Sequence, residues 1–115
     1  MPPSRQHTTN PLASSTFHIL LALADEPRYG LSIAEEVARY TQGAVQLGPG
    51  TLYNTIKKML TAGLLEEAPL GDSDDPRRRY YRITRTGMAA METEAQRLGD
   101  LVDVIRNKQL MPERG

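Results

Sequence analysis

Residues 48–65 read GPGTLYNTIKKMLTAGLL, and how this stretch folds decides the rest. Pro49 suits the first position of a helix, because the amide it lacks would have no partner there. Gly63 suits the end, where a left-handed residue closes the last turn. At roughly 3.6 residues per turn, Leu52, Ile56, Met59, Leu60 and Gly63 fall on one arc. Asn54, Lys57, Lys58 and Thr61 fall opposite, with Tyr53 on the flank. The stretch therefore predicts a short amphipathic helix with one face for a core and one polar, cationic face for something else.

Moving toward the C-terminus, LLEEA reads as a strand, and PLGDSDDP is turn chemistry throughout. RRRYYRIT then reads as the returning strand of a hairpin, rich in aromatic and β-branched residues. By alternation, Arg79, Tyr81 and Ile83 share one face of it, and Arg78, Tyr80 and Arg82 the other. Net charge is zero, from 14 basic and 14 acidic residues, so total charge gives no hint of a polyanionic partner. The distribution does. Residues 66–75 hold five acids and no base, and residues 76–85 hold five arginines and no acid.

Toward the N-terminus, residues 30–41 predict a helix from about Leu31 to Thr41 that turns Ile33, Ala34, Val37 and Tyr40 inward. Ser32 and Glu35 have the spacing of a capping box, and Gly43 supplies a stop. AVQL, at 44–47, reads as a short piece of strand. Upstream, TFHILLALAD is apolar nearly all round, with Ser14 or Ser15 available as its cap, and such a helix needs cover on every side. A second chain is one source of that cover. Residues 1–13, with Pro2, Pro3 and Pro11, read as a disordered arm.

Thr84 can cap a final helix running to about Leu110. Met88, Met91, Ala95, Leu98, Val102 and Ile105 recur along it at alternating spacings of three and four. This is a heptad seam, and it points again to association. The order is helix, helix, piece of strand, helix, two-stranded hairpin, long helix.

Mostly α with a small β-hairpin, this is the pattern of a winged helix-turn-helix with a long C-terminal dimerisation helix. The divisions fall at an arm over 1–13, a winged-helix domain over 14–84, the dimerisation helix over 85–110 and a tail over 111–115. A helix of this size enters the DNA major groove. Asn54 can pair with adenine at two points, Lys57 can reach guanine or phosphate, and Lys58 can reach phosphate. Thr51 and the free amides near Gly50 suit a phosphate at the helix start. The wing arginines Arg77, Arg78, Arg79 and Arg82 would meet the backbone or minor groove alongside. The competing account is that the lysines simply solvate a face and that the arginines pair in cis with the acidic turn.

Other chemistry is weakly represented. The chain has no cysteine, which excludes disulfides and thiolate metal sites and suits a reducing cytoplasm. Nothing converges on His7 or His18, the two histidines. There is no Ser-His-acid set, no glycine-rich phosphate cradle, no apolar run of membrane-spanning length and no apolar leader. The expectation is a cytoplasmic protein without cofactor, metal or enzymatic activity.

RYGLSIAEEV, LGPGTLYNTIKKMLTAGLL and RRRYYRITRTG together resemble the PadR-like transcriptional regulators over about residues 17–105. The shared pattern has Tyr-Gly before helix two and Pro-Gly-Thr-Leu-Tyr opening the recognition helix. It continues with Gly-Leu at that helix's end and an Arg-rich Tyr-Tyr-Arg-(Leu/Ile)-Thr wing strand followed by glycine. The resemblance implies a homodimer in which the C-terminal helix packs on the partner's first helix, through Phe17, Leu20, Leu21 and the seam residues. It also implies binding to double-stranded DNA at an inverted repeat, usually repression, relieved in some members by a small-molecule effector. By position, Thr51, Tyr53, Asn54 and Lys57 fall where the family meets DNA. The sequence departs from the pattern at Gly48, where many members have serine, at Leu60, where many have glutamate, and in having no tryptophan. The rival function is a winged-helix protein–protein module, which would carry apolar anchors on helix three.

Overall fold

The computed structural model describes residues 11–112. Four helices and three short strands follow one another as α1 (Ser14–Leu23), β1 (Arg28–Tyr29), α2 (Gly30–Tyr40), α3 (Pro49–Thr61), β2 (Leu65–Ala68), β3 (Tyr80–Ile83) and α4 (Arg85–Asn107). The arm expected over 1–13 lies almost wholly outside the described residues, as does His7.

The quoted stretch folds as its pattern predicts. Pro49 is the first residue of α3. At the other end Gly63 adopts a φ of 77°, and the Gly63 and Leu64 amides donate to the carbonyls of Leu60 (3.1 Å) and Met59 (2.9 Å). This pair of bonds satisfies two carbonyls that the helix end would otherwise leave open. Leu52, Ile56 and Met59 are buried, Leu60 is half-buried, and Gly63 is exposed, outside the apolar arc assigned to it.

The core forms where α1, α2 and α3 converge on the sheet: Ile19, Leu20, Ala22, Leu23, Ile33, Val37, Leu52, Ile56, Met59, Leu65 and Tyr81. Each large aliphatic side chain among them contributes about 1.5–3 kcal/mol by leaving water. Most of α1 is thus covered by its own chain. Leu20 is fully buried there, so it is a core residue with no surface to offer a partner. Leu21, by contrast, is 39% exposed, and Phe17 is half-buried.

The sheet differs from expectation. The third strand is β1, which pairs antiparallel with β3 (Arg28 opposite Tyr81, Tyr29 opposite Tyr80) and gives the order β1-β3-β2. Residues 44–47 form no strand; Val45 and Leu47 pack on the core from a loop. That loop is tied down by Thr41, whose hydroxyl accepts from the Val45 amide at 3.1 Å. Two residues carry no periodicity, which is why β1 leaves no trace in the pattern. The returning strand is also shorter than expected, because Arg77, Arg78 and Arg79 lie in the turn before β3.

Two helix starts differ from expectation. Ala13 precedes α1 without a side-chain bond, and Ser14 is already helical. Tyr29 precedes α2, because the chain passes from β1 straight into the helix. Ser32 therefore donates to the Tyr29 carbonyl at 2.8 Å and no capping box forms. At the end of α2, Gln42 and Gly43 both take positive φ (55° and 82°), and the Gly43 amide donates to the Ala38 carbonyl at 2.7 Å, so Gly43 supplies the expected stop.

Thr84 does cap α4, accepting from the Gly87 amide at 3.0 Å. The helix ends at Asn107, short of Leu110. Its first turns pack inward, Met91 against the core and Met88 half-buried. Farther along, Leu98 and Val102 are half-buried and Ala95, Leu101, Val104 and Ile105 are exposed.

Candidate nucleic-acid interface

α3 is held by one face and presents the other. With Leu52, Ile56 and Met59 locked in the core, Thr51, Asn54, Lys57, Lys58 and Thr61 stand exposed. Asn54, Lys57, Lys58 and Thr61 line a shallow surface groove. Neither lysine forms an ion pair, and Asn54 forms no side-chain hydrogen bond, among the described residues. Gly48 precedes the helix without a side-chain cap, and the first internal bond runs from the Leu52 amide to the Gly48 carbonyl. The amides of Gly50 and Thr51 are thereby free to donate outward.

Tyr53, on the flank, is 51% exposed, yet its ring is closely seated. It lies over Gly30, so near that a Cβ added there would come within 2.7 Å of the ring. Gly30, the first residue of α2, and Tyr53 of α3 are therefore two halves of one contact. Gly30 matters because it has no side chain to keep the ring away.

The wing arginines are placed differently from the lysines. Asp75 accepts from the Arg77 amide (2.9 Å) and from its guanidinium (3.1 and 3.0 Å). These bonds hold the Asp75 carboxyl below the usual carboxylate range and raise Arg77. Arg78 approaches the same carboxylate at 3.8 Å, Arg79 approaches Glu67 at 3.7 Å, and Arg82 donates to Glu66 at 2.7 Å. Cis pairing of the acidic turn with the arginines is thus real, and it extends to the carboxylates of β2. All four arginine side chains remain substantially exposed, from 45% for Arg78 to 88% for Arg77. Exposed pairs of this kind contribute only about 0–1 kcal/mol, so a phosphate can displace the carboxylate at little cost.

Tyr53 joins the two elements. A cleft of about 390 Å³ between α3 and the wing is lined by Tyr29, Gly30, Tyr53, Tyr81 and the arginines Arg77, Arg78 and Arg79. The structure therefore gathers Tyr53 with three wing arginines, keeps Asn54, Lys57 and Lys58 on a neighbouring groove, and leaves Arg82 beside Glu66 on the strand. Tyr29 escaped the sequence analysis as a member of this cluster. Its adjacency to Gly30 was the available signal.

Elsewhere, Tyr40 donates to the His18 carbonyl at 3.1 Å and sits 3.0 Å from the His18 ring nitrogen Nδ1, a structural pairing. Glu94 is buried on α4, accepting from the Leu12 amide (3.3 Å) and from Arg97 (3.0 Å). Neither group faces the α3 groove. Among the described residues no helix is long and apolar enough to cross a membrane.

Residues 19–93 match the family described as "Transcriptional regulator PadR-like family". A transcriptional regulator of Mycobacterium tuberculosis is 33% identical over 91 residues, spanning 77% of this chain and 79% of that protein. An uncharacterised protein of Lysinibacillus sphaericus is 31% identical over 88 residues, 76% of this chain and 80% of its own. Among solved structures, the PadR-like regulator of Bacillus cereus superposes with a TM-score of 0.68 at 26% identity, covering 85% of this chain and 92% of that one.

Proposed function

The chain belongs to the PadR-like family of transcriptional regulators, and from that premise we propose that it acts as a repressor, a homodimer on an inverted-repeat operator. Each protomer lays α3 in the major groove and sets its wing on the adjoining backbone. The observation that carries this assignment is the polar face of α3. Asn54, Lys57 and Lys58 are exposed and have no partner among the described residues, while the opposite face is anchored in the core. A protein-docking face would offer apolar anchors, and this one offers only the flanking Tyr53.

Thr51 and the free amides of the first turn serve phosphate, Asn54 and Lys57 the base edges, and Lys58 with Arg77, Arg78, Arg79 and Arg82 the backbone. The dimer forms through Phe17 and Leu21 on α1 and through the α4 seam of Met88, Met91, Ala95, Leu98, Val102 and Ile105. Support comes from exposed apolar side chains on α4 beyond its packed first turns: Leu101 and Val104 at 47% and Ile105 at 36%. A two-fold axis then sets the α3 helices one turn of DNA apart, about 34–36 Å. A small-molecule effector that releases the operator would act at this seam, which joins the two readers and carries the adaptable side chains of Met88 and Met91.

The test begins with capture of genomic fragments by the purified protein, followed by sequencing. With the operator in hand, Asn54→Ala is expected to cost about 1–3 kcal/mol of discrimination at one or two base pairs. Arg78→Ala with Arg82→Ala is expected to weaken binding to all sequences. If about six phosphates are neutralised per dimer, affinity falls with salt at a log–log slope of about −5. Binding unaffected by either change would refute the assignment of these faces.

A further inference from the structure

Arg78 differs from the other wing arginines in what holds it. Its guanidinium carbon lies 4.0 Å from the centroid of the Tyr29 ring, stacked on the face. Its nearest carboxylate, Asp75, is 3.8 Å away and is already bonded twice by the Arg77 guanidinium. The Tyr29 ring is itself fixed, meeting Tyr80 edge-on at 5.4 Å and 70° across the β1–β3 pair. Tyr80 is in turn tied to the turn, since its hydroxyl oxygen accepts from the Asp75 amide at 3.4 Å. The residue after Tyr29 is Gly30, which seats the Tyr53 ring of α3. One dipeptide, at the junction of β1 and α2, thus holds a wing cation on one side and the flank of the recognition helix on the other.

We propose that Tyr29 is a positioning residue for DNA binding, its aromatic face a platform that aims Arg78 into the cleft shared with Tyr53, where one backbone phosphate is received. This rests on the DNA-binding function proposed above. A guanidinium on an aromatic face keeps all of its N–H donors at the rim, free for an anion, whereas a bidentate carboxylate occupies two of them. Arg77 is in the second state and Arg78 in the first. Arg78 therefore meets a phosphate without first giving up a strong protein partner, and its long side chain loses less freedom on binding because it is already ordered.

A phosphate contact is blind to base sequence, so the probe is a fluorescein-labelled mixed-sequence 30-bp duplex at low salt, read by anisotropy about as a function of salt. Tyr29→Leu is expected to weaken binding roughly five- to tenfold, as Arg78→Ala does. Tyr29→Phe, which keeps the aromatic face, is expected to bind within about twofold of the parent. In the Arg78→Ala background, Tyr29→Leu is expected to have no further effect, a non-additivity that a purely structural role would not show. A second measurement needs no variant that could misfold: in the parent protein the Arg78 side-chain NεH resonance should carry an upfield ring-current shift.

Parent-like binding by Tyr29→Leu while Arg78→Ala binds weakly overturns the platform and leaves the DNA-binding function standing. Full additivity, or an Arg78 resonance without a ring-current shift, overturns it too. Failure of the parent protein to bind any duplex removes the function itself, and the platform with it.

Discussion

Two glycines of α4 offer a sharp test of what holds this fold together, because a helix-propensity argument treats them alike and the structure does not. Alanine is better than glycine in a helix interior by about 1 kcal/mol. At Gly99 nothing among the described residues lies within 4 Å of the position a Cβ would take. Gly99→Ala should therefore realise that gain, raising the melting temperature by about 4 °C for a chain of this size. At Gly87 an added Cβ would overlap the Leu64 carbonyl oxygen and lie 2.9 Å from Ile83 Cγ1. Carbon–oxygen contacts ordinarily settle at roughly 3.3–3.6 Å, so the first turn of α4 must retreat by about 1 Å.

That turn cannot retreat freely. The Thr84 amide donates to the Leu64 carbonyl at 3.0 Å, its hydroxyl donates to the Gly63 carbonyl at 2.6 Å, and the same hydroxyl caps the helix through Gly87. Overpacking costs about 1–3 kcal/mol and the weakened bonds about 1 kcal/mol each, against about 1 kcal/mol gained from propensity. With three such bonds the net is about 3–5 kcal/mol of destabilisation, or a melting temperature lower by about 12–20 °C. The assay is thermal unfolding followed by circular dichroism, at one fixed protein concentration, since the proposed dimer would make the midpoint concentration-dependent. If Gly87→Ala and Gly99→Ala shift the midpoint in the same direction, the close packing of α4 on the start of β2 is wrong.

Other expectations follow from single groups. Burial, reinforced by the charge of Glu36, pushes the Tyr40 hydroxyl up to about 12. The stabilisation it represents is present below the ordinary tyrosine value of 10.0 and is lost as pH rises through about 12. Ultraviolet titration should show a component near 12 that Tyr40→Phe removes. Glu94 is shifted the other way, held below the ordinary 4.5 chiefly by Arg97 and helped by the Leu12 amide. Its contribution is present above pH 4.5 and lost as pH falls through the lowered value, so Glu94→Gln should shallow the acid limb of a stability–pH curve. Leu101→Glu with Val104→Glu should leave single protomers in sedimentation at concentrations where the parent is paired; an unchanged sedimentation coefficient would remove α4 from the interface.

Local features were legible in the residues. Pro49 and Gly63 bracket α3 because one lacks an amide and the other tolerates a positive φ, properties that need no neighbour. The buried face of α3 and the Thr84 cap followed from spacing and from a hydroxyl three residues before an amide. What misled was also local: Ser32 and Glu35 have capping-box spacing, but β1 runs directly into α2 and makes Tyr29 the cap position. Leu20 belonged to an all-round apolar helix whose covered side only packing could select.

By itself, then, the sequence determined the four helices and the hairpin that follows α3, the face that α3 buries and the cluster of charge beyond it, because these rest on periodicity and on the chemistry of single residues. Tertiary structure alone decided that Arg28 and Tyr29 form a third strand and that Gly30 and Gly87 yield their space to Tyr53 and to the Leu64 carbonyl. It also decided that, among the described residues, the wing arginines are paired while the α3 lysines are not. Each of these depends on two segments distant in the chain arriving at the same place, and no pattern within either segment records the other's arrival.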